Sequence, residues 1–338
     1  MILIDALYIN NGGGKVLLDY LIINLERIES TKVFYLLDKR TKGSIPKIKK
    51  SNSVEYIDAT LFNRTSFYKK NKNKFSVILC FGNIPPFVRV KAKVFTYFHQ
   101  QLFLQIPDGF TLKSKIIYTI KQNVLRIFKK NTDYWMVQTP FIKSKLAQKY
   151  RIKPEIIKEL PFYVPLSIKK LDRIANSYVY VSNASPHKNH RILIEAFCKF
   201  FDEHQTGSLT LTVDEKFHEI FVLIENKKKL GYPIYNIGFV NHATMEEVFA
   251  KAEFHIFPSL AESFGLGLVE AIDCGCKVIA ADLPYTYAVC DPSAVFDPND
   301  IDSIAQAFSL SLSDRLPNSV SKIVNRIDNI IVLLQNIK

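Results

Sequence analysis

The chain has 338 residues, 48% of them hydrophobic. That length points to two domains of ordinary size, and that apolar fraction supplies real cores, so a disordered chain is excluded. Lysine and arginine exceed the acids by 45 − 32 = 13, and a net charge of +13 asks for an anionic partner: nucleic acid, an anionic membrane surface or a phosphorylated ligand.

Cys80, Cys198, Cys274, Cys276 and Cys290 are scattered and odd in number, which fits free thiols in a reducing compartment better than a disulfide framework. Cys274-Gly-Cys276 lacks the two-residue gap of common zinc knuckles, and no second pair is spaced to complete such a site, so no metal is expected. The start, Met-Ile-Leu-Ile-Asp5, has no basic segment, and no apolar run approaches the length of a membrane span. The expectation is a cytoplasmic protein that meets a membrane, if at all, from its inner face.

Short apolar runs alternate with amphipathic stretches. Ile2 to Ile9 reads as a buried strand, Asn10-Asn-Gly-Gly13-Gly14 as a turn, and Val16 to Leu25 as a helix. Val33–Leu37, Val54–Ile57, Val77–Phe81, Val94–Phe98 and Tyr134–Gln138 are further strands, and Thr139-Pro140 starts a helix in the favoured cap-then-proline order. Strand and helix in alternation predict a parallel sheet covered on both faces.

From Gly109 to Thr132 the chain carries Lys113, Lys115, Lys121, Arg126, Lys129 and Lys130 with no acid. Ile116, Ile120, Val124 and Ile127 or Phe128 form an apolar stripe at helical spacing. Two readings fit: a core-facing helix with a solvated basic back, or a helix lying on an anionic membrane surface. Periodicity does not separate them.

Three prolines between Pro154 and Pro165 mark a linker, and the pattern then restarts. Tyr178–Val181 is a strand, Lys188 to His204 a helix, Leu209–Val213 a strand and Glu215 to Leu230 a helix. Ile234–Ile237, His255–Phe257 and Val278–Ala280 complete the set. The division predicted is an N-terminal domain over 1–165, a C-terminal domain over 166–318 and a helix in 319–338 that packs back on the first domain. Ligands of open α/β sheets bind beyond the carboxyl ends of the strands, so a cleft between two such domains is where chemistry is sought.

One phrase stands out: Phe257-Pro-Ser, then Glu262-Ser-Phe264-Gly265-Leu266-Gly267-Leu-Val-Glu270. Eight residues at about 100° each put the two glutamates about 80° apart on one continuous helix, so they share a site only if Glu262 lies in the preceding loop. Gly265 and Gly267 let backbone amides approach a ligand, and free amides at a helix N-terminus hold a phosphate. Such a motif suits an anion at its centre and hydroxyls at its ends, as in a sugar nucleotide. The bland alternative is an ordinary loop and helix with Glu262 solvated and Glu270 a helix-start acid.

The segment from Phe257 to Ala281 resembles the Glu-x7-Glu signature of family 4 retaining glycosyltransferases of the GT-B fold. The resemblance implies two Rossmann-like α/β domains facing across a cleft and transfer of a sugar, with retention, from a nucleoside-diphosphate sugar to a saccharide or lipid-linked saccharide hydroxyl. It implies no metal and no other cofactor. Glu262 would contact the donor sugar, the backbone of Phe264, Gly265, Leu266 and Gly267 the sugar and phosphate, and Glu270 the ribose hydroxyls. Ser182-Asn183-Ala-Ser-Pro-His-Lys188 resembles the loop that sets a lysine on the diphosphate. The family often has an arginine five or six residues earlier; here those positions are Ser182 and Asn183, so Asn183 would supply a neutral donor or Arg191 would compensate. Gly238-Phe239-Val240 resembles the segment that meets the nucleobase, Gly13 and Gly14 the turn that packs against the diphosphate, and His99 the histidine near donor sugar and acceptor. Cell-surface polysaccharide assembly is the context implied. Two rivals remain, a sugar-nucleotide 2-epimerase of the same fold and a basic nucleic-acid-binding protein, although no nucleic-acid motif is present and no nucleic acid is expected. A catalytically dead scaffold of the same fold also fits the missing arginine.

Overall fold

The structure is a computed structural model that describes residues 1–29, 31–106, 110–166, 171–313 and 315–336. The chain divides into two compact units: residues 1–106, 111–164 and 324–338 form the first, and 107–110 with 165–323 the second. Asp108 and Gly109 lie outside the described residues.

In unit 1 the elements run β1 (Ile2–Ala6), α1 (Gly12–Glu26), β2 (Val33–Asp38), β3 (Ser53–Ile57), α2 (Leu61–Lys70), β4 (Val77–Cys80), β5 (Lys93–Phe98), α3 (Leu112–Phe128), β6 (Tyr134–Val137), α4 (Pro140–Tyr150) and β7 (Ile157–Glu159). All seven strands are parallel, in the order β3-β2-β1-β4-β5-β6-β7. The central strands are buried along their whole length, which is why they read as continuous apolar runs rather than alternating ones. β3 is an edge strand, and its exposed Ser-Val-Glu start reflects that. α4 begins as expected: the Thr139 hydroxyl accepts from the Ile142 amide at 3.2 Å and Pro140 takes the first turn.

Unit 2 follows with β8 (Ile174–Tyr180), α5 (His190–His204), β9 (Ser208–Leu211), α6 (His218–Lys229), β10 (Ile234–Asn236), α7 (His242–Lys251), β11 (Ala252–Phe257), α8 (Leu266–Asp273), β12 (Lys277–Ala281), α9 (Pro284–Val289), β13 (Cys290–Asp291), β14 (Ala294–Phe296), α10 (Ile301–Ser311) and β15 (Val320–Ser321). Its six-stranded sheet is also all parallel, ordered β10-β9-β8-β11-β12-β14, with β13 and β15 pairing separately and antiparallel. Each unit is thus a doubly wound, Rossmann-like α/β domain. α11 (Ile327–Gln335) returns to unit 1, where the Arg326 amide donates to Pro161 O at 2.7 Å and Asn325 Nδ2 to Tyr163 O at 2.7 Å.

One expectation is corrected. The proline-marked stretch is not all linker, because Ile157–Glu159 is the last strand of the first sheet, paired with β6. The apolar stripe of α3 is split between its two readings: Ile116, Ile120 and Ile127 are exposed, whereas Val124 packs on the core beside the buried Leu125 and Phe128 meets Phe87 edge-on at 4.6 Å.

Candidate functional site

Strand order alone locates the site in each unit. In unit 2 the chain leaves β8 towards β9 and β10 on one side and towards β11, β12 and β14 on the other. The two loops that follow β8 and β11 therefore diverge at a topological switch point, where an open α/β sheet leaves a crevice at its carboxyl edge. Those are the loops that carry Lys188 and Glu262.

After β8 the chain passes through a turn of 3-10 helix at Pro186–Lys188 before α5 begins at His190. The residue between them, Asn189, is left-handed with φ 60°, a conformation asparagine tolerates better than most residues. The sequence places Lys188 at the helix start; the structure places it in the turn before. That turn is tied to the β11 loop through backbone: the Leu260 amide donates to His187 O at 2.8 Å, and the Ser259 hydroxyl donates to the same oxygen at 3.2 Å. From the other side the Tyr180 hydroxyl donates to Lys188 O at 3.1 Å, and the Tyr285 hydroxyl donates to Ser259 O at 2.6 Å. With both loops fixed, Lys188 Nζ and Glu262 Oε1 stand 2.5 Å apart as a largely buried ion pair.

Gly265 is the residue before α8 and has φ +73°, which a side chain would strain. The turn it makes leaves Glu262 in the loop and Glu270 on the helix. The first-turn amides of a helix lack carbonyl partners within it, and Leu266 and Gly267 lie in that turn. Gly267 has a packing reason as well: a Cβ there would meet His255 Nε2 at 3.3 Å and Phe257 at 3.4 Å. Gly267→Ala is expected to cost about 1 kcal/mol by overpacking, read as a small fall in melting temperature. Phe264 is buried. Glu270 is buried too, and desolvation, with the Asp273 charge adding, pushes its carboxyl up to about 8.

Beneath the two loops lies a layer the sequence reading missed. Tyr180 packs against His190 at 4.8 Å, Phe257 at 5.7 Å and His255 at 6.3 Å between ring centroids. Burial lowers the pKa of His255 to about 4 and that of His190 to about 3, the Lys188 charge adding to the second, so both rings are neutral at ordinary pH. His255 Nδ1 bonds Val179 O at 2.9 Å. The only signal in the sequence was a histidine inside an apolar strand, which is commonplace.

Asn183 and Arg191, the two residues expected to stand in for the missing arginine, each have a partner of their own. Arg191 pairs with Glu219 on α6, and Asn183 is exposed with its Oδ1 accepting the Ser185 amide at 3.1 Å. At the carboxyl ends of β9 and β10, an open pocket of about 520 Å³ is lined by Val213, Asp214, Phe221, Asn236, Gly238 and Phe239 among others. Phe239 is 79% exposed there, and Val240 follows it.

In unit 1 the switch point lies between β1 and β4. Gly13 and Gly14 are in the first turn of α1 rather than in a turn before it. A Cβ on Gly14 would meet His99 Cε1 at 3.2 Å, so that glycine lets the helix approach the histidine. The His99 ring bonds Phe81 O at 2.9 Å, its amide donates to Asn83 Oδ1 at 2.7 Å, and burial lowers its pKa to about 4. Among the described residues no three His, Cys, Asp or Glu side chains gather as a metal-binding group.

Known proteins resemble this chain. O-antigen chain mannosyltransferase B of Escherichia coli is 29% identical over 140 residues, 40% of this chain and 36% of that protein. O-antigen chain mannosyltransferase RfbU of Salmonella typhimurium is 24% identical over 224 residues, 65% of this chain and 60% of that protein. The chain thus spans between about a third and three fifths of the curated relatives it matches. Among solved structures, Anabaena HepE in complex with UDP and glucose superposes with a TM-score of 0.65 at 14% identity, over 93% of this chain and 89% of that one. That likeness establishes the fold, two parallel-sheet Rossmann-like domains as in GT-B proteins. Residues 169–328, the half with the Lys188–Glu262 pair, match the family model described as glycosyl transferases group 1.

Proposed function

We propose that the protein is a hexosyltransferase that moves a sugar, with retention, from a nucleoside-diphosphate sugar to a saccharide hydroxyl, in assembly of a cell-surface polysaccharide. The observation that carries this reading is the unit 2 switch point, where Lys188 and Glu262 meet at 2.5 Å beside the N-terminus of α8. A diphosphate needs a cation and backbone amides; Lys188 and the first-turn amides around Leu266 and Gly267 offer both. As the bond from the anomeric carbon to the diphosphate breaks, the growing negative charge on the leaving group falls on those donors, already in place. Once Lys188 turns to phosphate, Glu262 is released to accept hydrogen bonds from the sugar hydroxyls. Glu270 accepts from the ribose, and Phe239 with Val240 offers a face for the base. The printed names of the relatives, O-antigen chain mannosyltransferases, support a hexose donor and a saccharide acceptor, and the UDP and glucose of the Anabaena complex support a sugar nucleotide.

A panel of nucleoside diphosphates and their sugars, read by thermal shift, tests this. A ligand of the folded state raises the melting temperature by mass action, with about 2.7 kcal/mol gained at a hundred times its Kd. At least one nucleotide is expected to do so, and the shift to shrink in Lys188→Ala. No shift with any nucleotide would sink the reading. Conversion of the sugar nucleotide to an epimer without an acceptor would favour the epimerase instead.

A further inference from the structure

One face of α4 is polar and turned towards the segment that follows β5. Taking Phe141 as zero and about 100° per residue, Lys145, Lys149 and Gln148 fall at about 40°, 80° and 340°. Ile142, Leu146 and Tyr150 fall at about 100°, 140° and 180°, and all three are buried in the core. Across from the polar face runs a turn of 3-10 helix, Gln101–Phe103, with Leu104 and Gln105 after it. Lys149 ties the two together: its Nζ donates to Leu104 O and to Gln122 Oε1, the second at 3.0 Å. Both elements leave the carboxyl ends of neighbouring strands, β5 and β6. Between them lies a groove of about 320 Å³.

The lining decides what fits. Gln101, Gln105 and Gln148 bring three carboxamides, Lys145 and Lys149 two ammonium groups and Phe141 a ring, and among the described residues no carboxylate lines the groove. Carboxamides both donate and accept, as sugar hydroxyls do. Gln101 Oε1 is buried with no hydrogen-bond partner among the described residues, an acceptor that a ligand hydroxyl would satisfy. Lys145 Nζ lies over the Phe141 ring at 5.7 Å from its centroid, and the two acceptors of Lys149 are both neutral. Burial, and then the Arg126 charge, lower the pKa of Lys149, so positive charge is in excess here. Partly buried cations without a counter-charge are unfavourable, and an anion in the groove relieves that.

We propose that this groove binds the anionic sugar of an acidic saccharide, a unit carrying a carboxylate or a phosphate, and that the acceptor of the proposed transfer is therefore acidic. Binding of the sugar is independent of the transferase reading; its being the acceptor rests on that reading. The ammonium groups take the anion, the carboxamides take the hydroxyls and Phe141 takes the apolar face of the sugar ring. A neutral sugar would leave both cations uncompensated, and a bare phosphate would leave Gln101 and Phe141 unused. A volume at the small end of ligand sites suits one sugar unit rather than a nucleotide. Gln101 follows His99 by two residues, at the edge where the first sheet opens its crevice.

The test titrates the full chain with glucose, glucuronate, glucose 6-phosphate, acetate and inorganic phosphate, read by saturation-transfer NMR and, for Kd, by calorimetry. Glucuronate or glucose 6-phosphate is expected to bind at least about tenfold more tightly than glucose and than its own bare anion, because a charge-assisted hydrogen bond adds to the contacts of the sugar. A preference for glucuronate identifies the anion as a carboxylate, and one for glucose 6-phosphate as a phosphate. Lys145→Glu, at an exposed position, should weaken that binding by about tenfold or more. Gln101→Leu removes a buried oxygen that lacks a partner, so the melting temperature should hold or rise while binding weakens about fivefold. A glutamine with only a structural role would not separate the two. Equal binding of glucose and the acid sugars, a bare anion that binds as tightly as its sugar, no binding of either acid sugar, or wild-type binding by both variants would overturn the proposal. A nucleotide panel without any thermal shift would instead overturn the transferase reading and leave the sugar binding standing.

Discussion

Glu262→Gln is expected to tighten binding of the bare nucleoside diphosphate while lowering turnover with its sugar by about 100-fold or more. The two effects have opposite signs because Glu262 does two things. In the ligand-free site it holds Lys188 at 2.5 Å, so a phosphate must compete for that cation. Two unit charges about 6 Å apart at an effective dielectric constant near 20 interact by roughly 3 kcal/mol, and solvent screening brings this to about 1 kcal/mol, or about fivefold in Kd. Removing the carboxylate charge thus favours the diphosphate by about that factor. With the sugar present, glutamine keeps the shape but loses the charged acceptor for the sugar hydroxyls, and that loss appears in turnover. Calorimetry with nucleoside diphosphate and steady-state rates with the sugar nucleotide check the pair of effects. If nucleotide binding is unchanged and turnover is intact, the Lys188–Glu262 pair is structural only.

The second large effect is on pH dependence. Burial holds the Glu270 carboxyl up at about 8 in the empty site. A ribose diol that donates to the carboxylate favours its ionised form, so binding expels a proton. Affinity should then rise by up to about tenfold per pH unit as pH climbs towards 8, and level off above it. Glu270→Gln should flatten this slope and weaken binding at pH 8.5. The stability of the empty protein carries the opposite sign. The folded pKa lies above the unfolded one near 4.5, so the proton's contribution is present at low pH and is lost as pH rises from there through about 8. Glu270→Gln should accordingly raise the melting temperature at pH 8.5 and leave it nearly unchanged at pH 4. A binding slope that persists in the variant would place the titrating group elsewhere.

Much of the architecture was legible along the chain, because buried parallel strands must be continuous apolar runs and βα alternation has few solutions. Val33–Leu37, Val77–Phe81 and Val94–Phe98 each fall on a strand, and Thr139-Pro140 on a helix start. The spacing of Glu262 and Glu270 required a loop before the helix, and Gly265 at positive φ makes that loop. Other features were not legible, for identifiable reasons. β7 is three residues long and pairs with residues 22 positions earlier, too short a run to outweigh the prolines around it. The left-handed Asn189 shifts Lys188 out of α5 into the turn, a choice set by contacts with the β11 loop and not by local propensity.

The residues by themselves determined two α/β units, the doubly wound pattern and the glycine-bounded phrase from Glu262 to Glu270, since these depend on local period and local backbone freedom. Only the tertiary structure decided that Lys188 and Glu262, 74 positions apart, form one ion pair. It also decided that Arg191 pairs with Glu219 and that the stripe of α3 is divided, with Ile116, Ile120 and Ile127 outward and Val124 on the core. A period of 3.6 shows that a helix has an apolar side; which side is buried depends on the neighbour it meets, and no local stretch of sequence contains the neighbour.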